Sequence, residues 1–360
     1  MTVQEKIQKF DDQKAEAFAN RYVGALSEAA MILMSSMGHR TRLFDVLANN
    51  PGVTSQELAD LTSCRERYVR EWLGVMVTSR VVDYDPRGKC YSLPAEHAAF
   101  LTRAASPNNM AVTSQFIGVA ASVEDEMLVR FESGEGLHYD HFNRFHEVMA
   151  EDSSQLVVAN LENGILPVVP GLREKLVLGI NVADVACGAG RAMMKLAETF
   201  PNSTFTGFDL CAGAFAPTMA EAKEKGLDNL FFVAQDLGTV ESIGSFELIT
   251  AFDAVHDQKA PLAFLEMIKA SLSADGVYLM QDIGGSRDLE NNIENPFAPL
   301  LFTISSMHCT PISIGQGGPG LGAMWGVETA QEYLAKSGFE TVETHRLEHD
   351  PINAYFVARA

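Results

Sequence analysis

The chain has 360 residues, 47 % of them hydrophobic, and a formal net charge of -20, a composition that folds and is long enough for two or three structural units. Its acidic field repels phosphate polymers and anionic membranes, which argues against both as partners. The five scattered cysteines lack C-x-x-C spacing, so they suggest neither a disulfide framework nor a zinc site, and no apolar run approaches the roughly 18 residues of a membrane span. A soluble, cytoplasmic chain is expected.

Residues 1–38 carry Phe18, Tyr22, Leu26, Ala29, Leu33 and Met37 at helical spacing, with Gly38 as the stop. So large an apolar face near a terminus needs a partner, and a homodimer joined through this helix is expected. The next stretch parses as a helix, a turn at Asn50-Pro51-Gly52, a helix capped by Thr54 or Ser55, a third helix, and a hairpin with its tip at Asp85-Pro86-Arg87-Gly88. Three helices and a β-wing make a winged helix. Its third helix, "CRERYVREW", offers Arg65, Arg67 and Arg70 to DNA, but Glu66 and Glu71 interleave them and cancel the charge that affinity for DNA requires. Dimerisation or covering a substrate suits this domain better.

Residues 106–178 return to helical spacing, and from residue 181 the texture changes. "NVADVA", "TFTGFD", "LFFVAQ", "FELITAF", "GVYLMQD", "FETVETHRL" and "NAYFVAR" read as seven strands. Helices between the first five predict βαβ units and a parallel sheet, and the short "EHDPI" connection makes the last two an antiparallel hairpin. The expected architecture is α/β, a Rossmann-like seven-stranded sheet preceded by an all-α/winged-helix domain. Its divisions fall at 1–105, 106–178 and 179–360.

In such a sheet, ligands bind beyond the carboxyl ends of the strands. The first strand runs into Ala186-Cys187-Gly188-Ala189-Gly190, where two glycines let a ligand approach the backbone. A dinucleotide fingerprint is disfavoured, because Met193 stands where a small residue is needed and Asp184 would repel a pyrophosphate. An acid there suits a cationic ligand. S-adenosylmethionine carries an ammonium, a sulfonium and two ribose hydroxyls. Asp209, ending the second strand, suits the hydroxyls, while after the third Asp236 could accept from an adenine amino group with Leu237 covering the ring. The fourth strand delivers His256 and Asp257 to the same cleft mouth. His256 is the candidate general base, with Asp257 or Asp282 orienting its ring.

Residues 181–282 resemble class I S-adenosylmethionine-dependent methyltransferases, with "VADVACGAG" in the glycine-loop position, "FTGFDL" at the ribose, "AQDLG" at the adenine and "FDAVHD" after the fourth strand. The whole layout is similar to the subgroup with an N-terminal winged helix. That subgroup includes dimeric small-molecule O-methyltransferases and a regulator-like group that "RYVREWLGVMV", "FHEVMAED" and "GGPGLGAMWG" resemble more narrowly. The resemblance implies transfer of methyl from S-adenosylmethionine to an O, N or S atom of a small-molecule acceptor. It places Asp184, Ala186, Cys187, Gly188 and Gly190 in the cofactor loop, Asp209 and Leu210 at the ribose, Asp236 and Leu237 at the adenine, Phe252 beside the methionine portion, and His256 and Asp257 at the catalytic position. Two departures stand out: Ala186 replaces the usual first glycine, which is tolerated where φ is negative, and Gln258 replaces the Trp that usually follows the His-Asp pair. The alternative reading is a winged-helix transcriptional regulator that senses the cofactor.

The insertion from 284 to about 326 is long and rich in Phe, Met and Gly, as a lid would be. It offers His308, Cys309 and Trp325 toward substrate, and His146 faces the pocket from the preceding helical region. No metal is expected, since His138, His141 and His146 lack clean helical ligand spacing.

Overall fold

The computed structural model describes residues 10–360, and the helical expectation for residues 1–9 lies outside them. The chain forms two compact units, one ending at Gly118 and the other running Val119–Ala360.

In the first unit, α1 (Asp12–Arg40) is started by Asp11, whose side chain accepts from the backbone N–H groups of Gln13 and Lys14. Gly38 does not stop it. A Cβ there would stand 2.7 Å from the Trp72 ring and 2.8 Å from that of Phe44, so the glycine lets helices pack closely. The winged helix follows as α2 (Leu43–Asn49), α3 (Ser55–Thr62) and α4 (Glu66–Thr78), then strands β1 (Asp83–Asp85) and β2 (Cys90–Ser92), which pair antiparallel. Thr54 and Glu57 form a reciprocal capping box at the start of α3. Leu43, Phe44, Leu47, Leu58, Val69, Trp72, Leu73 and Met76 fill the core between these helices.

The second unit holds all seven expected strands: β3 (Asn181–Val185), β4 (Thr204–Asp209), β5 (Leu230–Ala234), β6 (Phe246–Phe252), β7 (Leu272–Ile283), β8 (Thr341–Leu347) and β9 (Asp350–Arg359). They lie in the order β5-β4-β3-β6-β7-β9-β8, with β3 to β7 mutually parallel and β9 antiparallel to both its neighbours. Side-chain alternation sends Val182, Leu248, Leu279 and Tyr355 into one apolar layer and Ala183, Ile249, Met280 and Phe356 into the other. One expected element is missing. Between β5 and β6 the chain makes only the 3₁₀ turn Leu237–Thr239 in place of a crossover helix, because Gly238, Ser242 and Gly244 interrupt a connection of eleven residues. The helical stretch that precedes β3 belongs to this second unit and lays Leu161, Ile165, Leu172 and Leu176 on the sheet.

Candidate active site

The carboxyl ends of β3, β4, β5 and β6 open on one cavity in the second unit. Asp184, Ala186, Cys187, Gly188, Gly190, Asp209, Leu210, Asp236, Leu237, Phe252 and Asp257 all line it. His146 lines it as well, from the helix Phe145–Leu156, beside Tyr139, Phe145 and Met149. His256, His308 and Trp325, which the sequence placed at the cleft, are absent from its wall.

The loop after β3 is shaped by its own backbone. Gly190 has φ +69°, and a Cβ added there would come within 2.2 Å of the Phe232 ring, so both conformation and space require glycine. Ala186 is a correction to the sequence reading, which allowed the alanine on condition of a negative φ; the residue adopts φ +57°. The turn demands it, because the next amide, that of Cys187, must reach the Phe208 carbonyl at 2.9 Å and so bind the loop to β4. The left-handed region costs a non-glycine residue roughly 1 kcal/mol or more. Ala186→Gly should therefore raise the stability of the ligand-free chain by up to about 1 kcal/mol, net of the entropy a glycine adds to the unfolded state. Urea denaturation measures this, and a loss of stability would show that the strain is already relieved.

Asp209 holds the loop from the other side. Its two carboxylate oxygens accept from the backbone N–H groups of Gly188 and Cys211, each at 2.8 Å, which leaves lone pairs free toward the cavity. Burial pushes its pKa up, partly offset by those two bonds. Asp184, 2 % exposed, accepts from the Thr250 hydroxyl at 2.7 Å. Burial raises its pKa to about 7, against the lowering effect of Thr250, and the neighbouring Asp209 charge adds to the rise. Asp236 caps the 3₁₀ turn through the Gly238 amide at 3.0 Å and pairs with Lys259, a cavity residue that the sequence reading missed. Arg191, likewise missed, donates to the Ala150 carbonyl at 3.0 Å and the Ser154 hydroxyl at 2.8 Å, tying the loop after β3 to the helix that carries His146.

His256 is 2 % exposed and stands between two carboxylates, its Nδ1 2.7 Å from Asp282 Oδ1 and its Nε2 3.3 Å from Asp257 Oδ1. Asp282 therefore orients the ring, and the sequence left that choice open. Burial works against a charged imidazole, yet the Asp282 and Asp257 charges outweigh it and hold the His256 pKa well above the ordinary histidine range. Trp325 is no lid residue: its indole N–H donates to Asp282 Oδ1 at 3.0 Å from deep in the sheet's apolar layer. His308 is buried too, stacked on the Phe145 ring with centroids 3.6 Å apart. Its pKa falls to about 3 through burial and the nearby His256 and His146.

Known proteins match in both parts of the chain. Residues 29–103 fit the model of the Rv2258c-like winged HTH domain, and residues 177–314 that of a methyltransferase domain. The chain thus joins a winged helix-turn-helix domain to a methyltransferase domain. A ubiquinone/menaquinone biosynthesis C-methyltransferase of Bdellovibrio bacteriovorus is 26% identical over 191 residues, which make up 50% of this chain and 75% of that one. Among solved structures, the mitomycin 7-O-methyltransferase MmcR has the same fold, with a TM-score of 0.68 at 18% identity over 97% of this chain and 100% of that one. Human N-acetylserotonin methyltransferase, solved in complex with S-adenosylmethionine, gives 0.67 at 16% over 100% of this chain and 99% of that one.

Proposed function

We propose that this chain moves a methyl group from S-adenosylmethionine to an oxygen, nitrogen or sulfur atom of a small-molecule acceptor. The observation that carries this reading is the convergence of Asp184, Asp209 and Asp236, from three successive strand ends, on one cavity. Bound there, S-adenosylmethionine supplies an electrophilic methyl group on a sulfonium. Asp184 offers the negative charge that a buried ammonium or sulfonium needs, Asp209 accepts from the ribose hydroxyls, and Asp236 accepts from the adenine amino group over Leu237. Tyr139, Phe145, His146 and Met149 form the wall left for the acceptor.

Methyl transfer depends on alignment and exclusion of water, and these aromatic walls serve both. A general-base role for His256 would require its Nε2 to leave Asp257 and reach the cavity, which the ring does not line. The test is a screen of hydroxyl, amine and thiol metabolites with labelled S-adenosylmethionine. Labelled product together with S-adenosylhomocysteine is expected, whereas binding of NADH without binding of S-adenosylmethionine would end the reading. The regulator alternative loses ground on the third helix of the winged domain, where Arg70 donates to Glu66 at 2.8 Å and Arg67 pairs with Glu71, so two of the three candidate DNA contacts are neutralised on their own helix.

We also propose that the chain is a homodimer joined through α1. Every residue from Glu16 to Ala30 is exposed, among them Phe18 at 61 %, Tyr22 at 57 % and Leu26 at 60 %. Sedimentation should give the dimer mass at micromolar concentration, and a Tyr22→Glu/Leu26→Glu double variant the monomer mass. A monomeric full-length chain would refute the dimer and leave the catalytic reading untouched.

A further inference from the structure

The polar cluster around His256 is only partly hydrogen-bonded: the Cys309 side chain bonds to His256 and Asp257, while neighbouring polar atoms are left over. His256, Asp257 and Cys309 are all buried, and one donor atom from each lies within 4.8 Å of the others. His308 stands beside the group, its Nδ1 4.0 Å from Asp257 Oδ2. Several of these atoms have no hydrogen-bond partner: both ring nitrogens of His308, and Asp257 Oδ1, whose 3.3 Å approach to His256 Nε2 is not aligned as a bond. An unpartnered buried polar atom costs about 1–3 kcal/mol. A native core seldom leaves several together.

We infer that this cluster is a binding site for a divalent transition-metal ion, zinc fitting best, held by His256 Nε2, Asp257 and Cys309 Sγ with its fourth position open. Zinc takes histidine nitrogen and carboxylate oxygen at about 2.0–2.2 Å and cysteine sulfur at about 2.3 Å, so the corners of its tetrahedron stand roughly 3.3–3.8 Å apart. The 3.3 Å between His256 Nε2 and Asp257 Oδ1 lies in that range. The surroundings support the same assignment. Metal-binding histidines characteristically pass their second N–H to a carboxylate, and His256 Nδ1 meets Asp282 Oδ1 at 2.7 Å. That oxygen is itself fixed by the Trp325 indole at 3.0 Å and the Ile283 amide at 2.8 Å. His308 and Cys309 end a π-helical turn, Ser305–Cys309, a local irregularity frequent at functional sites. The inference does not depend on the methyl-transfer reading, although Asp257 also lines the cavity.

Cobalt(II) is the probe. The full chain, stripped with a chelator and titrated with Co²⁺, should show visible bands of tetrahedral cobalt and a near-ultraviolet thiolate-to-cobalt band, saturating at one ion per chain and displaced by Zn²⁺. Cys309→Ser should lose the thiolate band with unchanged near-ultraviolet circular dichroism, while Cys187→Ser and Cys211→Ser should keep it. Zn²⁺ should raise the melting temperature of the wild-type chain. No thiolate band in the wild-type chain, or a band that survives Cys309→Ser, would overturn the site. The wild-type titration alone decides if Cys309→Ser fails to fold.

Discussion

Asp209→Ala is expected to weaken binding of S-adenosylhomocysteine by about 10²-fold, because two charge-assisted hydrogen bonds to the ribose, each worth roughly 1.5–3 kcal/mol, would be lost together. The loss has a second source in the chain itself. Removing the carboxylate also frees the Gly188 and Cys211 amides, so the loop that presents Gly188 and Ala189 to the cavity loses its tie to the end of β4. Asp209→Asn separates the two effects, since an amide oxygen can still accept from one of those N–H groups while the ribose loses a charged acceptor. Calorimetry should therefore rank wild type above Asn and Asn above Ala. Unchanged affinity in a folded Asp209→Ala variant would remove the ribose assignment.

The cavity was legible from sequence because its parts follow a local rule. Each strand's alternation marks its end, and the acids Asp184, Asp209 and Asp236 sit at or just past those ends, so topology alone brings them together. What lies behind the cavity wall followed no such rule. The Asp282 carboxylate takes His256 from 26 residues before it and Trp325 from 43 residues after it, and neither spacing has a period that a reader of the chain could recognise. His308 and Trp325 looked like lid residues because the insertion is long and rich in Gly; their burial against Phe145 and Asp282 depends on side-chain packing that no spacing encodes. Lys259 was missed for a related reason: its partner Asp236 is 23 residues away, across the 3₁₀ connection and β6. Ala186 shows the limit of identity as a guide to conformation, since a residue that disfavours positive φ was forced there by the hydrogen bond from Cys187 to Phe208.

Asp184 is expected to set the pH dependence of binding. Its pKa of about 7 in the ligand-free chain means that near neutrality much of it carries a proton. A bound ammonium or sulfonium favours the ionised carboxylate and lowers that pKa, so binding must release a proton wherever the free chain still holds one. Affinity should then climb as pH rises from 5 to 7, by up to about tenfold per unit, and level off above 7 until the ligand's own α-amino group begins to lose its proton near about 8. Calorimetry at pH 6 in buffers of different ionisation enthalpy should show proton release approaching one per ligand. Asp184→Asn keeps an oxygen for the Thr250 hydroxyl and has nothing to titrate, so its affinity should be low and flat across the same range. The stability of the free chain follows with the sign fixed by the same shift. A carboxyl whose folded pKa lies above its unfolded value costs stability increasingly from about pH 4 to 7 and fully above that, so Asp184→Asn should raise the melting temperature at pH 8 and change it little at pH 4. A wild-type affinity that stays constant from pH 5 to 7 would mean that Asp184 is already ionised in the free chain, and a positive charge not yet assigned would then have to lie beside it.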